Sequence, residues 1–327
     1  MSGTTLVTGG AGYIGAHTVR ALRSAGREVV VLDTLERGNA DAVLDAPLVV
    51  GDIADETLVE RLCREHGVGA IIHFAAYKNV GESMREPSKY FRNNVDGTVR
   101  LLDAARRAGV EQVVFSSSCS VYGTPDSVPV DESQAIRPES VYAETKAIVE
   151  RVLHWYGEVH QMRSVSLRYF NAAGASFDAR IGEDWTYALN LVPVAMKALL
   201  LGDSRLRVFG DDYPTIDGTC IRDYIHVDDL ADAHVAAIDY LDRGGATTSL
   251  NVGTGVGTSV KQVLDAIARV AGREVPHDVV DRRAGDPVAT YADPTRSRET
   301  LGWSPRYGLA DIIETAYRWH LGQLSKV

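Results

Sequence analysis

Three cysteines in 327 residues, Cys63, Cys119 and Cys220, are too few and odd in number for a disulfide framework. They show no metal-type pairing. They read as reduced thiols that fill space in a reducing compartment. Long apolar runs are also missing. The best candidate, LVPVAMKALLLG, is short and carries Lys197, so no membrane span is expected. The first residues, MSGTTLVTGG, have no basic stretch followed by an apolar one, and no signal peptide is expected. Positive charge is in deficit: 34 Lys and Arg stand against 44 Asp and Glu, a net −10. That excludes general nucleic-acid or anionic-membrane partners recruited by a basic surface. It leaves room for a small anionic ligand held by a few placed cations. No internal repeat, low-complexity tract or Pro/Ser linker occurs. The expectation is a soluble cytoplasmic protein whose domains pack closely.

What is present is ordinary for a folded chain: 45 % apolar and 24 % charged residues. The length suggests two domains and is enough to bury a sizeable core. Short β-branched runs at 4–8, 28–33, 47–52, 70–74, 112–116 and 164–169 read as strands. Helical patterns lie between them at 15–25, 55–66, 88–108 and 141–160. The first three strands are almost wholly apolar, as strands buried on both faces should be. This alternation predicts right-handed crossovers and an α/β, doubly wound parallel sheet. Beyond Tyr169 the pattern loosens. Residues 171–184 read as loop, 190–201 and 227–243 as helices, 205–209 as a short strand, and 250–252 as a strand returning to the first sheet. The division expected is 1–173 as a dinucleotide-binding (Rossmann) domain, with a returning segment near 226–256. Residues 174–327 would form mainly a smaller α/β substrate-binding domain over the carboxyl ends of the strands, where ligands bind in open α/β sheets.

The first strand runs into Gly9-Gly10-Ala11-Gly12-Tyr13-Ile14-Gly15. Gly9, Gly12 and Gly15 allow a sharp turn, close approach to a pyrophosphate, and packing of a helix on the strand. The helix N-terminus then offers free N–H groups to phosphate. Asp33, 18 residues beyond Gly15, ends the second strand. A carboxylate there accepts from ribose hydroxyls and repels a 2′-phosphate, which selects NAD over NADP.

Tyr142 and Lys146 stand four apart at the start of a helix and share a face. A phenol is a poor base at neutral pH, and a nearby ammonium favours its ionised form. Ser116-Ser117-Ser118-Cys119-Ser120 ends the preceding strand, where a hydroxyl can relay a proton between ligand and phenol. Turn chemistry alone would explain these serines equally well.

Together these features resemble the extended branch of the short-chain dehydrogenase/reductase superfamily. The likeness extends over nearly the whole chain to the UDP-glucose 4-epimerase family, through TGGAGYIGAH, GDIAD, HFAAYKNVGES, SSSCSVYG, SVYAETK, LRYFNAAGA, FGDDYPTIDGTCIRDYIHVDDLADAH, NVGTG and RRAGDP. The resemblance implies an isomerase that inverts carbon 4 of UDP-hexoses through a transient 4-keto sugar. It makes Tyr142 the base, Lys146 its partner and Ser118 the relay. It puts Gly9, Gly12, Tyr13, Ile14 and Gly15 along the NAD pyrophosphate, Asp33 on the adenosine ribose, and Asp52 and Ile53 by the adenine. Phe74, Ala75, Lys78, Asn93 and Phe170 complete the cofactor surface, together with Tyr142 and Lys146. Lys78, Ser118, Tyr142, Asn171, Asn190, Phe209, Arg222, Arg283, Asp286 and Thr290 face the UDP-sugar. Arg222 and Arg283 hold the diphosphate, and Asp286 the uridine ribose. No metal is implied. His226 reads as structural and Cys119 as no nucleophile.

The resemblance also implies a homodimer, through the helices at 88–108 and 141–160. Thr290 stands where the family gates an N-acetyl group on the sugar, and its small size implies some activity on UDP-N-acetylhexosamines. A dehydratase or decarboxylase of the same superfamily would place an acid just after the relay hydroxyl, where this chain has Cys119 and Ser120. A non-catalytic NAD-sensing protein on the same scaffold is the other alternative, and such proteins often lose the tyrosine or lysine. Two stretches depart from the family pattern: Thr34-Leu35-Glu36-Arg37 after the ribose acid, and GEDWTYALN before the second domain's first helix.

Overall fold

The computed structural model describes residues 3–202, 204–283 and 285–324. Its centre is a sheet of seven parallel strands. The first six are β1 (Thr4–Thr8), β2 (Val29–Asp33), β3 (Leu48–Val50), β4 (Val68–His73), β5 (Gln112–Ser118) and β6 (Arg163–Tyr169). Helices α1 (Tyr13–Ser24), α2 (Glu56–Glu65), α3 (Val80–Ser83), α4 (Pro87–Tyr90), α5 (Gly97–Arg107) and α6 (Val141–His160) connect them. The chain continues through β7 (Asn171–Ala173), α7 (Leu191–Leu201), β8 (Leu206–Phe209), β9 (Ile221–Arg222), β10 (Tyr224–His226) and α8 (Val227–Asp242). β11 (Thr248–Val252) then adds the seventh strand. After it come β12 (Thr258–Ser259), α9 (Val260–Ala271), β13 (His277–Val280), β14 (Ala289–Thr290), α10 (Thr295–Leu301) and α11 (Leu309–Gln323).

Strand order is β11-β6-β5-β4-β1-β2-β3. The order reverses between β1 and β4, and a crevice opens there at the carboxyl ends. Alternating side chains serve the two faces of the sheet. Val7, Val31, Ile72 and Val252 meet Leu22 of α1 and Leu230, Ile238 and Leu241 of α8. Leu6, Val30 and Ile71 meet Leu62 of α2 and Leu101 of α5. Val113 and Phe115 cover Val149 and Leu153 of α6. A separate core unites Met196 and Leu199 of α7 with Leu206 and Val208 of β8, Ile267 of α9 and Ile312 of α11. Leu301 and Trp303 near the end of the chain pack back on the first core instead.

Three local expectations need correction. The strand expected at 47–52 is only β3, and it is a sheet edge with Val50 61 % exposed rather than a strand buried on both faces. The helix expected at 88–108 is three pieces: α4, a wider-wound π turn at Phe91–Asp96, and α5. Such turns arise where side chains intrude on the regular ladder. Here the Asn94 amide turns inward to bind Tyr77 N at 2.9 Å and Tyr77 O at 3.0 Å. Finally, the expected loop at 171–184 contains β7, which pairs in parallel with β10. The return of β11 beside β6 agrees with expectation.

Candidate active site

The glycine loop is shaped by what a side chain would strike. Gly9 has φ +72°, and a Cβ there would lie 2.6 Å from Ala75 N. A Cβ on Gly15 would lie 2.3 Å from Gly9 O, so α1 can approach β1 only without one. Gly12 differs: its nearest neighbour would be Gly9 O at 3.3 Å, and the rest of its surroundings is open. No side chain caps α1 and its first turn holds no acid, so its N–H groups remain for an anion. Asp33, nearly buried, ties this loop to β2 by accepting from Ala11 N at 3.0 Å and Leu35 N at 2.9 Å. Segment 34–39 folds back over the loop, with Asn39 N donating to Ala11 O. The residues present therefore fit a dinucleotide: a loop opened by its glycines, a helix terminus without a side-chain cap, and an acid fixed at the end of β2. Tyr13 donates to Gly174 O at 2.7 Å, joining this helix to the segment after β7. Ile14 packs against the first core. Asp52 is exposed and caps Ala54 N, while Ile53 is buried among α2 and α5 residues.

Tyr142 and Lys146 enter the same crevice from α6. Ser140 caps that helix by accepting from Ala143 N, and Ser83 Oγ accepts from Tyr142 N. Ser118, at the end of β5, lies within hydrogen-bonding reach of the Tyr142 phenol, and Ser120 Oγ donates to Ser118 Oγ at 2.9 Å. Lys146 is buried, its Nζ donating to Ser116 O at 2.7 Å and lying 5.8 Å from the Tyr142 ring centre. Burial governs both groups. It pushes the Tyr142 phenol far above its ordinary value, helped by the neighbouring Tyr169 and opposed by the Ser118 hydrogen bond. It pushes the Lys146 ammonium down to about 7, with Glu150 one turn on pulling the other way. Desolvation, and not the ammonium, sets the direction of the phenol's shift, contrary to the expected lowering.

The other expected site residues have partners of their own. Arg222 binds Asp286 at 3.1 Å and Pro287 O at 2.9 Å. Arg283 lies over the Phe209 ring, 4.2 Å from its centre. Lys78 and Asn190 meet on one buried carboxylate, Glu183 Oε1, at 3.2 and 3.3 Å. Asn171 donates to Asp223 O at 3.1 Å. Thr290 is buried, and among the described residues its hydroxyl has no hydrogen-bond partner. Phe170 is buried among Val121, Tyr122, Ala147 and Ala292. Phe74 packs on His234 with ring centres 4.7 Å apart. Asn93 is half-buried and donates to Asn94. His226, buried, bonds Thr315 and caps α8 through Asp228 N, as a structural histidine should.

Sequence reasoning missed several participants. Tyr169 hydrogen-bonds Ser116 Oγ at 2.5 Å, next to the carbonyl that Lys146 binds. Glu183 holds Lys78 and Asn190 together. Glu150 accepts from Ser117 at 2.5 Å and from Nε and Nη2 of the buried Arg168 guanidinium. Glu150 could have been found: it stands four residues beyond Lys146, as Lys146 stands beyond Tyr142. Nothing in the local pattern marks Glu183. Among the described residues no group of three metal-type side chains occurs, and no helix is long and apolar enough to cross a membrane. The three cysteines are free. Burial raises the Cys119 thiol to about 12, which leaves it unreactive.

Comparison with known proteins extends the picture. The family described as "NAD dependent epimerase/dehydratase family" matches residues 5–253. A UDP-glucose 4-epimerase of Rhizobium meliloti (strain 1021) is 49 % identical over 315 residues, 96 % of either chain. A crystal structure of a UDP-glucose 4-epimerase from Stenotrophomonas maltophila, with bound NAD and formylated UDP-arabinopyranose, superposes with TM-score 0.97 at 39 % identity. The superposition covers 99 % of this chain and 100 % of that one. A UDP-glucose 4-epimerase from Brucella ovis in complex with NAD gives TM-score 0.95 at 45 % identity, over 98 % of this chain and 99 % of that one.

Proposed function

From the premise that the chain belongs to the NAD dependent epimerase/dehydratase family, we propose that it inverts carbon 4 of UDP-hexoses, interconverting UDP-glucose and UDP-galactose. The observation that carries this reading is the meeting of Tyr142, Lys146 and Ser118 beside a glycine cradle at the carboxyl edge of the sheet. NAD, held along Gly9, Gly12 and Gly15 with its ribose on Asp33, supplies a hydride acceptor at carbon 4 and returns the hydride. Tyr142 takes the proton of the carbon 4 hydroxyl, directly or through Ser118, and later gives it back. Lys146 supplies the adjacent positive charge that favours the ionised phenol. Arg222 and Arg283 grip the diphosphate, arginine forks being suited to phosphate oxygens. Asp286 and Phe209 hold the uridine end. Anchoring remote groups leaves the flat 4-keto sugar free to turn and present its other face. Asn171 binds the substrate, Asn190 lies near its diphosphate, and Lys78 approaches the NAD phosphates or ribose.

Three finer statements rest on the same reading. The small Thr290 leaves room for an N-acetyl group, so UDP-N-acetylhexosamines are also substrates. Free thiols at all three cysteines fit a cytoplasmic setting. The protein works as a homodimer, and Trp155 and Val159, one turn apart on α6 and 63 % and 64 % exposed, supply an apolar stripe for that contact. Sedimentation giving only monomer at micromolar concentration would contradict the dimer. The activity itself is tested with Tyr142→Phe. Turnover of UDP-galactose should fall by orders of magnitude, and a near-parent rate would sink the assignment.

A further inference from the structure

The two stretches that depart from the family pattern, 34–37 and the 183–190 loop, touch each other in the folded protein. Arg37 lies between two aromatic rings, 5.7 Å from the centre of Tyr77 and 5.8 Å from that of Tyr187. Tyr77 is itself fixed: its hydroxyl donates to Glu36 Oε2 at 2.6 Å, its backbone is held by the Asn94 amide, and Lys89 Nζ covers its other flank at 4.1 Å. Arg37 also faces Glu82 at 3.8 Å. These residues form one rim of the crevice. Segment 34–38 closes on Asp33 and the glycine loop, since a Cβ on Gly38 would lie 2.9 Å from Asp33 Oδ1 and from Ala11 Cβ. Tyr77 follows Phe74 and Ala75, the latter against Gly9.

Tyr187 comes from the 183–190 loop. Its loop leaves Glu183, whose carbonyl accepts from Trp319 Nε1 of α11 at 3.0 Å, and ends at Asn190, the first residue before α7. Between these anchored ends Tyr187 reaches across to Arg37. The loop thus meets the segment that lies against Asp33 and the glycine loop, and the guanidinium over the phenol is its contact with that segment.

We propose that Arg37 and Tyr187 form a clasp that closes the 183–190 loop over the adenosine side of the groove and slows the departure of NAD. Both are positioning residues, acting through the loop rather than on the reacting atoms. The proposal rests on NAD occupying the groove. The assignment of carbon 4 chemistry could fail without affecting it, because its test reads cofactor release and not turnover.

The holoenzyme is diluted into excess NAD-consuming trap, and loss of bound NAD is followed by its quenching of tryptophan fluorescence. A half-exposed cation–π contact corresponds to roughly a two- to fivefold change in rate. Tyr187→Ala and Arg37→Ala should each release NAD about two to five times faster than the parent. Tyr187→Phe, which keeps the ring, should release it at the parent rate, an outcome that a merely structural loss would not give. The double variant Arg37→Ala with Tyr187→Ala should be no faster than the faster single one, because one contact is lost once. Parent-like release from Tyr187→Ala, failure of Tyr187→Phe to restore it, or multiplicative effects in the double variant would overturn the clasp.

Discussion

Replacing Gly12 and Gly15 separately by alanine should divide cofactor binding from folding. Gly12 has φ −78° and ψ 170°, ordinary for any residue, and its new Cβ would meet only Gly9 O at 3.3 Å. Restricting the unfolded chain contributes about 0.4–1 kcal/mol in favour of the fold, and the tight contact opposes it. Net stability without ligand should stay within about 1 kcal/mol of the parent. The methyl group, however, stands in the open approach to the α1 N-terminus. Losing one charge-assisted hydrogen bond there costs about 1.5–3 kcal/mol, roughly a ten- to hundredfold weaker NAD affinity. At NAD one hundred times the parent Kd, the parent gains about 2.7 kcal/mol from ligand, and a variant weakened a hundredfold gains about 0.4 kcal/mol. Gly15→Ala behaves oppositely. Its Cβ would sit 2.3 Å from Gly9 O and 2.8 Å from Gly10 Cα, both backbone, so α1 must move off β1. That should cost about 3 kcal/mol or more at every NAD concentration. Thermal unfolding across a series of NAD concentrations checks both. A Gly12→Ala variant that keeps the parent's NAD-dependent rise in Tm, or equal losses of ligand-free stability in the two variants, would refute these roles.

Lys146 and Thr290 give two further tests. The folded state lowers Lys146 to about 7, while the unfolded chain releases its proton near the ordinary lysine value. Between those values the unfolded state binds one proton more, so stability of the NAD-free protein should rise with pH, by up to about 1.4 kcal/mol per pH unit from this group. Lys146→Met should flatten that rise, read as urea midpoints at pH 7, 8 and 9; parallel profiles for parent and variant would refute it. Thr290→Tyr should abolish epimerisation of UDP-N-acetylglucosamine and leave UDP-glucose turnover within a few fold, measured by resolving the products. Equal losses on both sugars would remove Thr290 from the role of gate.

Much of this was readable from residues in order, and the reason is local. β1, β2, β4, β5 and β6 are short apolar runs buried by helices on both faces, and α1 and α6 begin with recognisable turns or caps. The glycine spacing and the Tyr142–Lys146 interval are short-range patterns too. β9, β12 and β14 have two residues each, too few to show a period, and they exist because Arg222 pairs with Thr258 and Thr290 across long sequence separations. The edge position of β3 follows from strand order, which no single strand encodes. The π turn depends on an Asn94 amide satisfied by Tyr77, and Glu183 gains its meaning from Lys78, 105 residues away. Electrostatics was the least legible part. The phenol and ammonium were expected to tune each other, and burial overrode both because the crevice lies deep between the sheet and the later elements.

The late arrival of α8 and β11 has a consequence for how the chain is made. Residues 1–173 contain six of the seven central strands, yet α8, with Leu230, Ile238 and Leu241, is the helix that covers β5 and β6, where Val114, Val165 and Leu167 belong to the same core. β6 lacks its outer neighbour until Leu250 and Val252 have been synthesised. Leu301 and Trp303, the latter donating to Asp229 O at 3.0 Å, close the same core from still further along. An emerging chain therefore holds an unsealed sheet face and an open strand edge through most of translation. The core of the seven-stranded sheet is completed only by Leu301 and Trp303, so a chain truncated after residue 173 should aggregate rather than fold.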